Sequence, residues 1–443
     1  MRWRRKGSGR SSEPVVVVGT TPDYVAKVHG KRPGSVLFLV DDRFEGDPYF
    51  IDIPPSLLLF VPLANFEETY KRTSLFLSSN NLSPKGIACF DCESLLTASR
   101  LASHFQQRFA PWQAIARSRN KFEARRTWVS AGIASPDAVL ASDVGKTLEF
   151  LHTHGGDVVL KPLSGSGSEL LFHCKSELEV REAVRIMEEE LPRRKTNPLF
   201  QPFAGPFGSS GVDPCRGWIA EEFVAGEEFS CDFILQDEEI ILIRETGKVK
   251  APDQPFGSVL AYTFPPLYPK EFKKEDLLEV LHKGVGALGY DWGYFMVDYV
   301  IRDGLPVLIE ITPRPGGDAI PDLVMAAAER DPLEIYLDFV SGSLPRLEQI
   351  SLPPEAFASI TLYAPKEGTI LSIDGSGIRS LPEVKSLFLK KTEGDRVILP
   401  PKDYDNRLLG YCILRLKPHL NLLSECRRIE NLLAVSIHAE VGV

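Results

Sequence analysis

The sequence has no apolar run approaching the roughly 20 residues that cross a bilayer, so it offers no candidate membrane-spanning helix. Its opening, MRWRRKGSGRSSEP, carries Lys or Arg at five of its first ten positions but has no apolar core. That pattern lacks the hydrophobic region of a signal peptide, and residues 1–13 are expected to be a disordered basic tail. Basic residues are outnumbered by acidic ones, 51 to 60. The net charge of −9 argues against nucleic acid as the main partner. Seven cysteines are an odd number for a disulfide framework, and Cys89-x-x-Cys92 has no second pair to complete a zinc site. A reduced, cytoplasmic protein is the expectation. The turn after the first strand-like run lacks GxGxxG, which removes a dinucleotide site there, and no internal repeat is present.

What is present is an ordinary soluble composition, 43% hydrophobic and 25% charged, over 443 residues. That length suits about three domains. Buried-strand runs at Pro14–Gly19, Ser35–Asp41, Leu57–Leu63 and Gly86–Phe90 alternate with amphipathic segments near 66–79 and 93–107. Strands alternating with helices predict a small α/β domain on a parallel sheet. A change comes near Pro111. A polar-capped helix over 118–132, a helix around 143–154, strand pairs up to residue 265 and a helix at 273–288 follow. Two helices are predicted over 319–341, then a linker over 341–354. The last 90 or so residues read as a mixed module of short strands with a helix near 419–433.

Three segments carry candidate chemistry. In DWGYFMVDYVIRDGLPVLIEITPRPGGD, residues 291–318, two apolar runs flank a turn at Arg302-Asp303-Gly304, a strand hairpin. Each run holds one carboxylate, Asp298 and Glu310, and a charge in a buried strand is costly unless compensated. With Thr312 and Arg314 just beyond, the pair suggests a divalent metal and a polyphosphate. Two edge carboxylates facing water are the plainer alternative. In DVVLKPLSGSGSELLF, residues 157–172, a strand ends at Lys161 and a Ser/Gly loop follows. Small residues at Ser164, Gly165, Ser166 and Gly167 let backbone N–H groups approach phosphate oxygens, and Lys161 adds a point charge. A simple hairpin turn is the alternative. In GWIAEEFVAGEEFSCDF, two strands meet at Ala225-Gly226. Such a linker can hold a flat base: Glu221 or Glu222 would accept from an exocyclic amine and Glu228 would take ribose hydroxyls. Alone, it also reads as a solvated acidic hairpin.

Taken in order, these segments resemble the ATP-grasp superfamily, and more narrowly its carboxylate–amine ligase branch, which includes L-amino-acid ligases and carnosine-synthase-like enzymes. The resemblance covers about 14–443 and is strongest over 118–318. It implies an α/β chain with the ATP-grasp fold: an N-terminal pre-ATP-grasp domain at 14–112, two α+β subdomains clasping ATP over 113–345, and a C-terminal α/β closing module at 346–443. By resemblance, Lys121 in SRNKFEARR and Lys161 are the two ATP lysines. Glu221 sits on the adenine amino group, Phe223 and Val224 on the base, and Glu228 on the ribose. Asp298 and Glu310 are the metal carboxylates, and Arg314 reaches the transferred phosphoryl group. Thr312 stands where the family usually has Asn, so a hydroxyl would ligate the metal more weakly or through water. The PGGD after Arg314 lacks the acidic-basic continuation of biotin carboxylase, and GDRVILPPKDYDNRLLGYCIL more loosely resembles the closing domain of amino-acid ligases.

The implied activity is an ADP-forming ligase that joins a carboxylate to an amine through an acylphosphate, with ATP and one or two Mg²⁺ ions (or Mn²⁺). Its expected partners are small molecules, amino acids or similar, with neither nucleic acid nor membrane; dimers are common in the family. Two alternatives stand beside it. One is a bicarbonate-using carboxylase of the biotin-carboxylase or purine-pathway type. The other is a non-catalytic ATP-binding protein that kept the fold.

Overall fold

The computed structural model describes residues 13–200, 212–343, 355–417 and 421–439. The tail expected at residues 1–13 and the linker expected at 341–354 lie almost wholly outside the described residues. The chain divides into two units. The first runs to Trp112 and takes in the segment that starts at Leu333; the second holds Gln113–Pro332 and the C-terminal strands.

In the first unit the apolar runs form a parallel sheet, with Val15–Val18 between Val36–Asp41 and Gly86–Ala88, and Leu58–Val61 at one edge. Val15–Val18 and residues 36–40 in its central strands are buried, as in a parallel sheet covered on both faces. Pro22 opens the helix Pro22–Lys31 at its first turn, where its missing N–H costs nothing. The helix Pro332–Val340 belongs to this unit through Arg32 Nη2 on Asp338 at 2.9 Å and the Tyr336 hydroxyl, which accepts from Cys89 N at 3.2 Å.

The second unit is built on two antiparallel sheets. The smaller has the order Ala138–Ala141, Trp218–Glu222, Val158–Pro162, Phe172–Cys174. The helices Val144–Thr153 and Glu177–Glu190 pack on it through a core that includes Trp218, Met187 and Phe200. The larger sheet has eight strands, in the order Leu305–Thr312, Gly293–Arg302, Glu227–Gln236, Glu239–Lys250, Val259–Phe264, Phe357–Tyr363, Leu408–Arg415, Val384–Leu389. Its last three strands come from the C-terminal region, so that region extends this sheet. A separate three-stranded sheet of Arg396–Val397, Gly368–Asp374 and Ala434–His438 lies beside them.

The expected hairpin forms as read. Asp303 and Gly304 both adopt positive φ, 53° and 81°, the backbone that a tight Asp-Gly turn demands. The helix Lys274–Leu288 packs beneath it, closely enough that a Cβ on Gly284 would fall 2.5 Å from Leu308. Trp128 Nε1 donates to the Gly284 carbonyl at 3.0 Å and ties the helix Lys121–Ser130 to the same place.

Candidate ATP and metal site

Side chains two residues apart on a strand share a sheet face, and pairing carries that face across the sheet. Asp298 stands opposite Glu310 on one side and Ser230 on the other; Ser230 stands opposite Thr246. Two residues along, Met296 pairs with Thr312 and Asp232, and Asp232 pairs with Arg244. In the other direction Lys248 pairs with Tyr262. One face of the large sheet therefore gathers Glu310, Thr312, Asp298, Glu228, Ser230, Asp232, Arg244, Thr246, Lys248 and Tyr262. The opposite face takes Phe229, Cys231 and Phe233, all buried. Alternation in EEFSCDF dictates this division.

Buried charges on this face are met by partners. Arg244 lies 2.6 Å from Asp232, both wholly buried, and donates to Ser230 and Thr246 hydroxyls at 2.8 and 2.7 Å. Asp232 also accepts from Gly316 N at 3.0 Å, so this pair anchors the PGGD turn. A Cβ on Gly316 would meet Arg244 Nη2 at 2.5 Å, which explains a glycine there.

Lys248 places one ammonium 2.8 Å from Asp298 and 2.8 Å from Glu228, while Lys250 stands 3.7 Å from Glu228. Burial by itself would lift the Glu228 carboxyl, but Lys248 and Lys250 outweigh it and hold the group low. Asp298 stays raised, chiefly by burial; its share of the Lys248 field is offset by repulsion from Glu228 and Glu310. Burial disfavours charge on Lys248, yet two carboxylates together raise it above the ordinary lysine range. The two carboxylates that share this cation thus shift in opposite directions, Glu228 down and Asp298 up. The sequence reading did not single out this lysine for the pair.

At the other wall the helix Lys121–Ser130 begins at Asn120, two residues later than Ser118, with the Asn120 side chain accepting from Glu123 N at 3.2 Å. Lys121 N donates to Leu163 O at 2.8 Å, and its Nζ reaches Gly165 O at 3.1 Å. Gly165 and Gly167 adopt φ of 119° and 69°, open to glycine at little cost. Ser164 is buried and its hydroxyl lacks a hydrogen-bond partner among the described residues. Ser166 lies between the two glycines.

Glu221, expected on the adenine amino group, is a buried residue of the strand Trp218–Glu222. Its carboxylate sits between two buried cations, Lys161 at 2.5 Å and Arg125 at 3.0 Å. Burial raises the carboxyl, and the two cations together bring it below the usual range. Burial dominates at Lys161, pushing its ammonium down to about 8 despite Glu221. Arg125, one helical turn after Lys121, was missed by the sequence reading. The spacing i, i+4 was the available signal.

Phe223 stacks on His173 with ring centroids 4.0 Å apart, and Phe256 stands 6.2 Å away. Its N–H is taken by Asp157 O. Val224 packs with Val300, Val307 and Ile309. Glu222 is directed elsewhere, 3.2 Å from Arg302. Arg314 follows the second carboxylate strand and donates to Pro315 O at 2.8 Å.

These donors suit a hard cation. Asp298 and Glu310 are cross-strand neighbours with Thr312 on the same face, an all-oxygen set. Mg²⁺ takes few protein carboxylates and completes its shell with phosphate and water oxygens. Among the described residues no group of three or more His, Cys, Asp or Glu is placed to hold a metal ion. The unpartnered Ser164 hydroxyl, with Lys121 and Lys161 on either side of its loop, fits a polyphosphate. All seven cysteines are buried, with no disulfide among the described residues, and among the described residues no helix is long and apolar enough to cross a membrane.

Comparison with known proteins agrees with this geometry. Residues 119–318 match the model of the ATP-grasp domain. Dapdiamide A synthase from Enterobacter agglomerans is 28% identical over 208 residues, 46% of this chain and 44% of its own length. The uncharacterized protein y4rH of Sinorhizobium fredii is 25% identical over 299 residues, 66% of this chain and 56% of its own. The chain thus spans about half the length of the curated relatives it matches. In fold, L-amino acid ligase from Bacillus licheniformis superposes with a TM-score of 0.75 at 17% identity, covering 97% of this chain and 100% of that one. Residues 119–318 are an ATP-grasp domain, the fold along nearly the full length is that of ATP-grasp enzymes, and the chain resembles the carboxylate–amine ligase branch.

Proposed function

We propose that this protein is an ATP-dependent, ADP-forming ligase that joins a carboxylate to an amine, with amino acids or similar small molecules as substrates. The observation that carries this reading is the polar sheet face, where Asp298 and Glu310 oppose each other and lead into Arg314 and PGGD. ATP's terminal phosphates need more positive charge than a pocket normally holds. Lys121 and Lys161 supply two charges at the glycine loop. Asp298, Glu310 and Thr312 would hold Mg²⁺, one ion or two, which when bound offsets charge on the phosphate oxygens. Backbone of the Glu221–Val224 linker faces the base, and the Glu221 carboxylate holds Lys161 in place.

Phosphoryl transfer to the substrate carboxylate leaves ADP and an acylphosphate, and Arg314 stabilises charge on the group in transit. The amine then attacks the acyl carbon. A C–N bond forms, the C–O bond to phosphate breaks, and the amine's proton leaves to solvent. No side-chain nucleophile is required.

The test is ADP release with ATP and Mg²⁺ against a panel of amino acids, singly and in pairs, with and without bicarbonate. Release that needs a carboxylate and an amine supports the reading. Release driven by bicarbonate alone would replace it with a carboxylase. Tight ATP binding without turnover under any acceptor would replace it with a non-catalytic ATP-binding protein.

A further inference from the structure

The glycine loop does not hold its shape by its own preferences. Just past Gly167, Ser168 and Leu170 both sit in the left-handed region, φ 58° and 54°, where a side chain is disfavoured. Such residues persist only where their surroundings fix them. Leu170 is fixed from the C-terminal region. It is wholly buried in the core of the small sheet, where Tyr404 lies in the same cluster and takes a hydrogen bond from the Leu170 backbone. Ser168 is fixed by another segment. Its hydroxyl donates to the Gly257 carbonyl at 2.9 Å, and a Cβ on Gly257 would fall 2.5 Å from Leu171 and 2.9 Å from the Ser168 hydroxyl.

Gly257 belongs to the loop 251–258, which joins Glu239–Lys250 to Val259–Phe264 in the large sheet. The loop closes on itself, with Ala251 N donating to Ser258 O at 3.0 Å and Ser258 N to Pro255 O at 3.1 Å. Arg407 grips it at two points. Its Nη1 donates to Gln254 Oε1 and its Nη2 to Ser258 Oγ, both at 2.8 Å, while Nε donates to Tyr404 O at 3.0 Å. This guanidinium is 3% exposed and forms no ion pair among the described residues. All three bonds go to neutral acceptors, and burial pulls the group below the ordinary arginine value. A buried cation without a counter-charge is costly; what it supplies here is a rigid fork that fixes two segments at once. From the same loop Phe256 stands 5.0 Å from His173 and 6.2 Å from Phe223 in the base linker. One short loop thus joins the glycine loop, the base linker and the C-terminal region.

We propose that the loop 251–258 is a strut through which Arg407 positions the glycine loop for the terminal phosphates of ATP. Ser168 and Gly257 form the strut's contact with the glycine loop, and Gln254 and Ser258 its contact with Arg407. These are positioning residues, which act on ATP through the backbone N–H groups at 164–167. A loop that is docked only part of the time binds its ligand more weakly in proportion to that fraction. The strut therefore raises affinity for the phosphates and leaves affinity for the base alone. This rests on the reading of the glycine loop as the phosphate site.

Affinities for ATP and for AMP, each with Mg²⁺, are measured by calorimetry on the full chain. AMP lacks the terminal phosphates and serves as the control. Ser168→Ala detaches the strut from the glycine loop. Gln254→Met removes one contact with Arg407 and leaves the Tyr404 bond intact. Each should weaken ATP binding by about three- to tenfold, with AMP binding unchanged. Arg407→Gln should do likewise; because it alters a buried site, Gln254→Met carries the test if that variant unfolds. Combining Ser168→Ala with Gln254→Met is the deciding measurement. Once the strut is detached, loss of its other contact has no route to the glycine loop, so the double variant should bind ATP no more weakly than the weaker single one. The inference is overturned if Ser168→Ala leaves ATP affinity unchanged, if AMP binding weakens by the same factor, or if the two single factors multiply. Should the unaltered protein bind ATP no more tightly than AMP, the glycine loop is not a phosphate site; the nucleotide reading itself then fails, and the strut with it.

Discussion

Lys161 and Glu221 meet at 2.5 Å in the ATP-grasp domain, both nearly excluded from solvent, with Arg125 closing the other side of the carboxylate at 3.0 Å. The carboxylate is what allows two cations to be buried this close together. Glu221→Gln would leave both without a counter-charge. Breaking a buried pair of this kind costs about 3–5 kcal/mol, so the variant should unfold at clearly lower urea concentration. A denaturation midpoint equal to that of the unaltered protein would remove Glu221 from this role.

Lys161 also sets a pH dependence. Burial holds its ammonium down to about 8, from the ordinary lysine value of 10.5. Between those values the unfolded chain binds the extra proton, so this residue's contribution to stability grows as pH rises through the window. Phosphate binding has the opposite sign, because the charge that attracts phosphate is lost above about pH 8. ATP affinity measured by calorimetry from pH 7 to 9.5 should therefore weaken across that pH. A flat profile would show that Lys161 does not touch the nucleotide.

Glu310→Ala removes one of the two opposed carboxylates and leaves Asp298 with Lys248. Substrate-dependent ADP release should fall by about a hundredfold or more, and half-saturation should move to higher Mg²⁺. Full release at the original Mg²⁺ demand would end the metal assignment.

Lys248→Met deprives Asp298 and Glu228 of the cation they share. Stability in the absence of divalent ions should drop by about 2–4 kcal/mol. Added Mg²⁺ should recover part of that loss, since it can neutralise the same carboxylates. Thermal melts with EDTA and with Mg²⁺ read both effects; equal losses in the two conditions would mean that Lys248 lies outside the metal's reach.

Much of the site was legible along the chain because its parts are local. Asp303-Gly304 marks the turn, Asp298 and Glu310 stand out in apolar strands, and a lysine ends the strand before a Ser/Gly loop. The alternation in EEFSCDF also held more than was taken from it, since Ser230 and Asp232 follow Glu228 at every second position. RETGKVK continues the pattern in Arg244, Thr246, Lys248 and Lys250. Which face these residues occupy, and that the face is shared with Asp298, depends on strand order. The central placement of Glu227–Gln236 between Gly293–Arg302 and Glu239–Lys250 is a pairing across about 70 residues, and no local signal specifies it.

The sequence by itself determined the secondary elements, the hairpin with its two carboxylates and the order of the nucleotide segments, because turn chemistry and hydrophobic period act over a few residues. Only the tertiary structure decided the partners of the charges. It gave Glu221 to Lys161 and Arg125, shared Lys248 between Asp298 and Glu228, and brought Asp405 beside Gly167, 238 residues away in the numbering. The reason is physical: a buried charge is held by whatever opposite charge the folded sheet brings within a few ångströms, and that distance has no counterpart in sequence separation.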